Sequence, residues 1–158
     1  MKKSELKIFI GMSRALNEIN RATGKIHKKY GLTNAQFAVL EALYHKGDLS
    51  VGEVQEKILS TSGTIPVIVK NLENEGLLTR NQDQSDKRKF ILHITDKGRS
   101  LMDMVYPENE KMIIDMMLSM PEFQQQNKIN RETLKDKLTK LNSLQLTLTH
   151  KILRCFLM

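Results

Sequence analysis

The feature that most limits the fold of this chain is one change in the spacing of its apolar residues, at Gly76. Before this glycine, apolar residues recur every three or four positions, which is the period of amphipathic helices. After it come two short β-favouring runs, residues 77–80 and 90–94, separated by a polar, charged loop over residues 81–89. Short helices followed by one hairpin predict a mainly α fold with a small β-hairpin (α+β).

The helices before Gly76 are short and carry recognisable caps. Thr33 with Gln36, and Ser50 with Glu53, each have the residue types of a capping box at a helix start. A further helix follows the polar break at residues 59–63. Two short helices joined by a tight turn and followed by a hairpin predict a winged helix-turn-helix unit.

In such a unit, the second helix enters the major groove of DNA and the hairpin tip reaches the flanking minor groove. The apolar face of this helix leaves two hydroxyls, a valine, a cation and an amide directed outward. These groups suit phosphates, a thymine methyl group and base edges, and they predict a DNA contact. They are Ser62, Thr64, Val67, Lys70 and Asn71.

The predicted hairpin tip is rich in cations. Lys87 and Arg88 supply positive charge for a narrow minor groove, and Asp86 is spaced to orient the Arg88 guanidinium through a charge-assisted hydrogen bond. A charge run alone is typical of a solvated loop. Its place at the tip of a hairpin, directly after a helix-turn-helix, favours a contact with DNA.

The two ends of the chain carry long apolar stripes with helical spacing. One stripe lies on a helix predicted over residues 4–29 and the other runs from Leu134 to Cys155. Stripes of this kind favour packing or a dimer interface over a cofactor site. We therefore expect a single domain over residues 1–158. Its predicted parts are terminal dimerisation helices over 1–30 and 122–158, a winged helix-turn-helix over 32–98 and a connecting helix over 99–121.

Five short motifs follow one another in a fixed order over residues 32–105. They are Leu32-Thr-x-x-Gln-Phe-x-Val-Leu40, Leu49-Ser50, Ser62-Gly63, Leu72-Glu-x-x-Gly-Leu77 and Asp86-x-Arg88-x-x-x-Leu92-x-Ile94-Thr95-x-x-Gly98. In this order they resemble the signature of the MarR family of bacterial transcriptional regulators, and the last motif is the specific one.

This resemblance implies a homodimer with intertwined terminal helices, whose two winged lobes bind double-stranded DNA at a palindromic operator. It implies a repressor that a small aromatic or phenolic effector releases by binding between the dimerisation helices and the lobe, where Met12 and Phe37 are the candidate lining residues. Carried over by position, the recognition helix spans Ser62 to Glu75. The wing pair is then Asp86 and Arg88.

Two residues depart from the family pattern. Pro66 falls near the first turn of the recognition helix, where a hydroxyl or small polar residue is common. If Ser62 is the N-cap, Pro66 removes the first intrahelical hydrogen bond and a side chain that would touch DNA. Lys70 stands where an acid is common and adds attraction for phosphate.

Other classes of function have weaker support. The four histidines are scattered, and no Gly-rich phosphate loop or paired metal-ligand motif occurs, so we expect no enzyme, cofactor or metal. No apolar run approaches the roughly 18 residues of a membrane span, and the net charge is +7, which predicts a soluble, cytoplasmic protein with a polyanionic partner. Two alternatives stay open: a redox-sensing regulator acting through Cys155, and a winged-helix protein-interaction module.

Overall fold

The computed structural model describes residues 3–58 and 64–119, without the side chains of residues 3–9, Met12 and Met117. Five helices and a small antiparallel sheet occupy these ranges. The helices are α1 (Lys3–Lys29), α2 (Asn34–Lys46), α3 (Val51–Lys57), α4 (Ile65–Asn74) and α5 (Asp96–Ser119). The strands are β1 (Leu49–Ser50), β2 (Leu78–Gln82) and β3 (Phe90–Ile94). The predicted mainly α fold with a hairpin wing is confirmed, while the predicted helix over 122–158 lies outside the described residues.

Both predicted capping boxes are present. The Thr33 hydroxyl accepts the Gln36 N–H at 3.2 Å, and the Gln36 side chain accepts the Thr33 N–H at 2.9 Å. Ser50 and Glu53 make the same reciprocal pair at 3.2 and 2.8 Å. Because each box satisfies two amides that have no partner inside the helix, local sequence sets where α2 and α3 begin.

The sheet has one more strand than the sequence indicated. Its order is β1-β3-β2, and all pairs are antiparallel. In β1, Leu49 pairs with Leu92 and Ser50 with Ile91, which places the start of α3 beside the central strand. A two-residue strand is too short to show a period, so sequence spacing cannot reveal it. β2 also runs two residues further than predicted, to Gln82, which shortens the wing loop to residues 83–89.

A continuous apolar core joins the helix-turn-helix to the sheet. It is formed by side chains from α2, α4, β2, β3 and α5 that have almost no solvent exposure, among them Leu40, Leu43, Ile65, Leu72, Leu78, Leu92 and Met102. This core holds the inner face of α4 and the base of the hairpin together. The outer face of α4 and the wing tip therefore have a set relative position.

The hairpin is anchored where it meets α5. Gly98 packs so closely on Leu77, the residue before β2, that an added Cβ would lie 2.1 Å from the Leu77 carbonyl oxygen. The Thr95 hydroxyl accepts the Gly98 N–H at 3.1 Å and donates to the Gly76 carbonyl at 2.8 Å. The residue types of the Thr95-x-x-Gly98 motif thus have a structural reason, because only a glycine permits this approach.

α5 runs unbroken past Pro107 and packs along the C-terminal half of α1, where Ile19 and Thr23 are buried. In the described ranges, no helix is both long and apolar enough to cross a bilayer. No three His, Cys, Asp or Glu side chains within these ranges come together as a metal site.

Candidate DNA-binding surface

The predicted start of the recognition helix is corrected by the structure. α4 begins at Ile65, with Thr64 at the N-cap position, whereas Ser62 lies outside the described residues. Pro66 is therefore the second residue of the helix. An N–H at this position has no intrahelical partner, so the expected loss of a hydrogen bond does not occur. A proline in this first turn is therefore tolerated.

α4 separates its buried and exposed faces as the spacing predicted. Ile65, Val69 and Leu72 are buried against the lobe core. The opposite face is solvent-exposed, with Val67 at 60% exposure as the most accessible large apolar residue of the helix. The described candidate DNA-contacting residues of the helix all lie on this exposed side. They are Thr64, Val67, Lys70 and Asn71.

The wing loop is built on Asp83, which sequence reasoning did not single out. Its carboxylate accepts the backbone N–H groups of Ser85 and Asp86 at 2.7 and 2.8 Å, and it also accepts the Ser85 hydroxyl. The Ser85 hydroxyl and these amides hold the pKa of Asp83 below its usual range. The Asp83 N–H donates to the Lys89 carbonyl at 3.0 Å and closes the loop. An aspartate two residues before a serine is a turn signal that the sequence does carry.

The closest contact of Asp86 to Arg88 is with its backbone and not with its guanidinium. Its carboxylate accepts the backbone N–H of Arg88 at 3.1 Å, while the guanidinium Nε is 4.0 Å away. The Arg88 side chain is 97% exposed, and Lys87 beside it is exposed as well. Asp86 therefore orients the backbone of the wing tip, and it leaves the Arg88 guanidinium in solvent, where it is available to a polyanion.

A second polar cluster lies where α1, α2 and α5 meet. The buried His27 ring places Nδ1 2.9 Å from Asn34 Oδ1 and Nε2 3.0 Å from Asn109 Oδ1. Burial lowers the pKa of His27, against the opposing effect of the hydrogen bonds to Asn34 and Asn109. His27 thereby links α1 to both α2 and α5. Nothing in the sequence pairs His27 with Asn109, because 82 residues separate them.

Phe37, one of the two candidate effector-pocket residues, belongs to this cluster. Its ring stacks on His27 with 4.0 Å between centroids and 15° between planes. Phe37 and His27 line a cavity of about 60 Å³ between the three helices. The Met12 side chain lies outside the described part of the structure, so of the two candidate pocket residues Phe37 is the one seen to line this cavity.

An exposed helix face beside a cationic hairpin tip, on one rigid lobe, defines the class of winged helix-turn-helix DNA-binding proteins. A family described as transcriptional regulator SarA/Rot matches residues 21–105. The HTH-type transcriptional regulator MhqR of Bacillus subtilis is 40% identical over 117 residues, which are 74% of this chain and 81% of that protein. The chain belongs to the MarR family of winged helix-turn-helix regulators, and it is a DNA-binding transcriptional regulator.

Solved structures share the fold. A MarR family regulator from Streptomyces coelicolor in complex with DNA matches with a TM-score of 0.70 and 18% identity, covering 79% of this chain and 81% of that one. BpsR of Bordetella bronchiseptica, whose DNA binding is regulated by 6-hydroxynicotinic acid, matches with a TM-score of 0.67 and 24% identity, covering 75% and 90%. At these identities the similarity establishes a shared fold and no more.

Proposed function

We propose that this regulator is a homodimeric repressor that binds a palindromic operator, with α4 in the major groove and the wing tip in the flanking minor groove. The observation that carries this proposal is the closeness of two elements of the lobe. Pro66 and Val69 in the first turns of α4 and the wing residues Arg88 and Lys89 line one groove. A single DNA duplex lying across this groove would meet both elements.

Within this arrangement the side chains have distinct tasks. Thr64 and Asn71 contact base edges, Val67 contacts a thymine methyl group, and Lys70 contacts phosphate. Arg88 enters the minor groove with Lys87 beside it, and Asp86 holds the backbone that carries both. Ser62 would contact a phosphate or a base edge, an assignment that follows only from its position in the sequence.

The terminal helices form the dimer interface in this proposal. α1 extends well beyond its contact with the lobe, and its apolar Ile10 is 39% exposed. A twofold dimer presents two identical α4 helices, which is why its operator would be palindromic. Light scattering of the full chain is expected to give the mass of a dimer. Deletion of residues 132–158 is expected to give aggregated or unfolded protein, and a folded monomer with full operator affinity would contradict the interface.

We place the effector in the cavity between α1, α2 and α5, where the Phe37 ring offers a stacking surface to a small aromatic or phenolic molecule. The cavity, at about 60 Å³, is smaller than the roughly 150 Å³ that holds a benzene molecule in a protein interior. An aromatic ligand would therefore enter only if α2 moves relative to α1 and α5. Because α2 belongs to the DNA-binding lobe, this movement would shift α4 and release the operator.

The proposal is tested by sequencing genomic DNA fragments retained by the purified protein, with and without a panel of phenols, quinones and aromatic acids. We expect a recurrent inverted-repeat sequence that is lost in the presence of an effective compound. Retention of random sequences only would contradict operator recognition. Since relatives carry the names of transcriptional regulators, we infer a regulatory role on chromosomal DNA in the cytoplasm and no catalysis.

A further inference from the structure

A basic groove of about 410 Å³ separates the recognition helix from the wing. Its walls come from Ser50 and the start of α3, the first turns of α4, and one side of the hairpin up to Arg88, and three of its lining side chains are cations. The cations are Arg80, Arg88 and Lys89. The other lining residues are small, apolar or aromatic, and no carboxylate lines the groove within the described residues.

Arg80 is the most firmly positioned of the three cations. It lies two residues after the buried Leu78 on β2, and residues two apart share one face of a strand, so it projects from the core-facing side of the sheet at the point where the core ends. Its Cζ lies 3.9 Å from the centroid of the Phe90 ring. A guanidinium held over an aromatic face has N–H groups that can point away from the ring, where they can bind an anion.

Arg80 is also the cation whose charge is least compensated. Arg88 Nε is 4.0 Å from the Asp86 carboxylate. Lys89 lies close enough to Glu53 to contribute to the lowered pKa of that carboxyl, after the hydrogen bonds from Ser50. Arg80, by contrast, forms no ion pair within the part of the chain that the structure describes. Its positive charge is therefore available to an outside ligand.

The place of the groove identifies that ligand. One wall belongs to α4 and the other to the wing. In B-DNA the sugar-phosphate backbone runs between the major groove and the neighbouring minor groove. If α4 occupies one and the wing tip the other, a backbone segment must cross the mouth of this groove, and a guanidinium binds a phosphodiester through two parallel hydrogen bonds.

We propose that this groove binds one backbone phosphate of DNA and that Arg80, stacked on Phe90, is its principal ligand. By holding that phosphate, Arg80 sets the register of α4 in the major groove relative to the wing in the minor groove. The inference rests on the proposed placement of α4 and the wing on DNA. It adds a contact that carries no sequence information of its own.

The first experiment compares Arg80→Ala with a matched control, Arg99→Ala. Arg99 also carries a guanidinium over an aromatic ring, 5.8 Å from the Tyr44 centroid, but does not line the groove. For Arg80→Ala we expect roughly tenfold weaker binding to the operator and to a scrambled duplex alike. The slope of log K against log salt should fall by about 0.9, the value for one phosphate, whereas Arg99→Ala should leave it unchanged. Equal slope changes in both variants would overturn the site.

Two further variants separate a positioned guanidinium from simple positive charge. Arg80→Lys retains the charge without the planar stack, and Phe90→Leu retains the arginine without the ring. Both are expected to keep the salt slope and to lose part of the affinity. Wild-type affinity in both would overturn the role of the stacked pair. Thermal unfolding of each variant checks the fold. If Arg80→Ala does not fold, the affinity of Arg80→Lys still tests the role of the guanidinium.

The decisive measurement pairs each protein with operator duplexes in which single phosphates are replaced by neutral methylphosphonates. One replacement, between the α4 and wing contacts, should weaken wild-type binding as much as Arg80→Ala does, and the two changes together should cost no more than either alone. Additive effects at every phosphate would overturn the proposal.

If Arg88→Ala lowers the salt slope but Arg80→Ala does not, the phosphate site is wrong and the proposed function stands. If neither lowers it, the placement of the lobe on DNA fails as well.

Discussion

Polar side chains serve opposite purposes in the DNA-facing surface and in the junction of α1, α2 and α5. On the DNA-facing surface they are exposed, and their bonds are local, such as those from Asp83 to its neighbours Ser85 and Asp86. At the junction they are buried, and His27 bonds to Asn109, 82 residues away. The first region is organised by nearby sequence and keeps its charges for a partner. In the second region the polar groups hydrogen-bond to one another and join the helices. Mutations should therefore change DNA affinity in one region and protein stability in the other.

The largest effect is expected for His27→Ala at the junction. This change removes a buried ring stacked on Phe37, and the Oδ1 atoms of Asn34 and the buried Asn109 lose their hydrogen bonds to it. A loss of about 2–4 kcal/mol in the free energy of unfolding follows. Urea denaturation measures it, with the exposed neighbour Lys28→Ala as the control, expected within about 0.5 kcal/mol of wild type. Equal values for the two variants would show that the junction is not stabilised by His27.

The next effect concerns base recognition by α4. Asn71→Ala is expected to cost about 1–3 kcal/mol of discrimination between the operator and a variant with one base pair changed, because an amide contact to a base edge is lost. Asn74→Ala is the matched control, since Asn74 is also exposed but lies at the C-terminal end of α4. Competition binding with a set of singly substituted duplexes measures both. If Asn74→Ala alters base preference and Asn71→Ala does not, the C-terminal end of α4 contacts the bases, and the proposed orientation of the helix is wrong.

The pH dependence of stability sharpens the contrast through His27. Because burial lowers its pKa in the folded state below the ordinary value of 6.5, the unfolded chain binds a proton more readily. The stabilisation is fully present above about pH 6.5 and is lost as the pH falls through the lowered pKa. Each unit of lowering contributes about 1.4 kcal/mol. We expect His27→Gln to flatten the stability profile between about pH 7 and 5 relative to wild type. An unchanged profile would contradict a buried neutral imidazole.

A smaller effect is expected at the wing. Arg88→Ala should weaken binding to operator and scrambled DNA severalfold and lower the salt slope by about one, without changing the free energy of unfolding, since the side chain is 97% exposed. Arg21→Ala on α1 makes the same change in net charge away from the lobe. Salt titrations of both variants provide the measurement. If Arg88→Ala does not change the slope of log K against log salt, the wing is a solvated loop that does not contact DNA.

The smallest effect is expected for Asp86→Ala. The carboxylate holds the Arg88 backbone N–H, and it does not hydrogen-bond the guanidinium, so its removal loosens the wing tip and leaves the cation in place. Binding should weaken less than with Arg88→Ala, and the salt slope should stay at the wild-type value. A loss equal to that of Arg88→Ala would instead mean that Asp86 orients the guanidinium on DNA.

Local signals were predicted well because their causes are local. Capping boxes at Thr33 and Ser50 and the change of period at Gly76 each depend on residues a few positions apart. The predicted start of α4 is too early because Ser62 has the residue type of an N-cap, whereas the helix begins at Ile65 with Thr64 at the N-cap position. Asp86 was assigned to the guanidinium of Arg88 on spacing alone, but the backbone N–H is nearer.

The winged helix-turn-helix, its family and the exposed face of α4 are predictable from the sequence, because periodicity, capping residues and turn residues act within one or two turns of chain. The pairing of Leu49 with Leu92, the contact of His27 with Asn109, and the position of Arg80 over Phe90 beside α4 are visible only in the folded protein. These contacts join residues that no local pattern relates. They form because burying the common apolar core brings distant segments together, and polar groups caught at its edges must then find partners or remain available to a ligand.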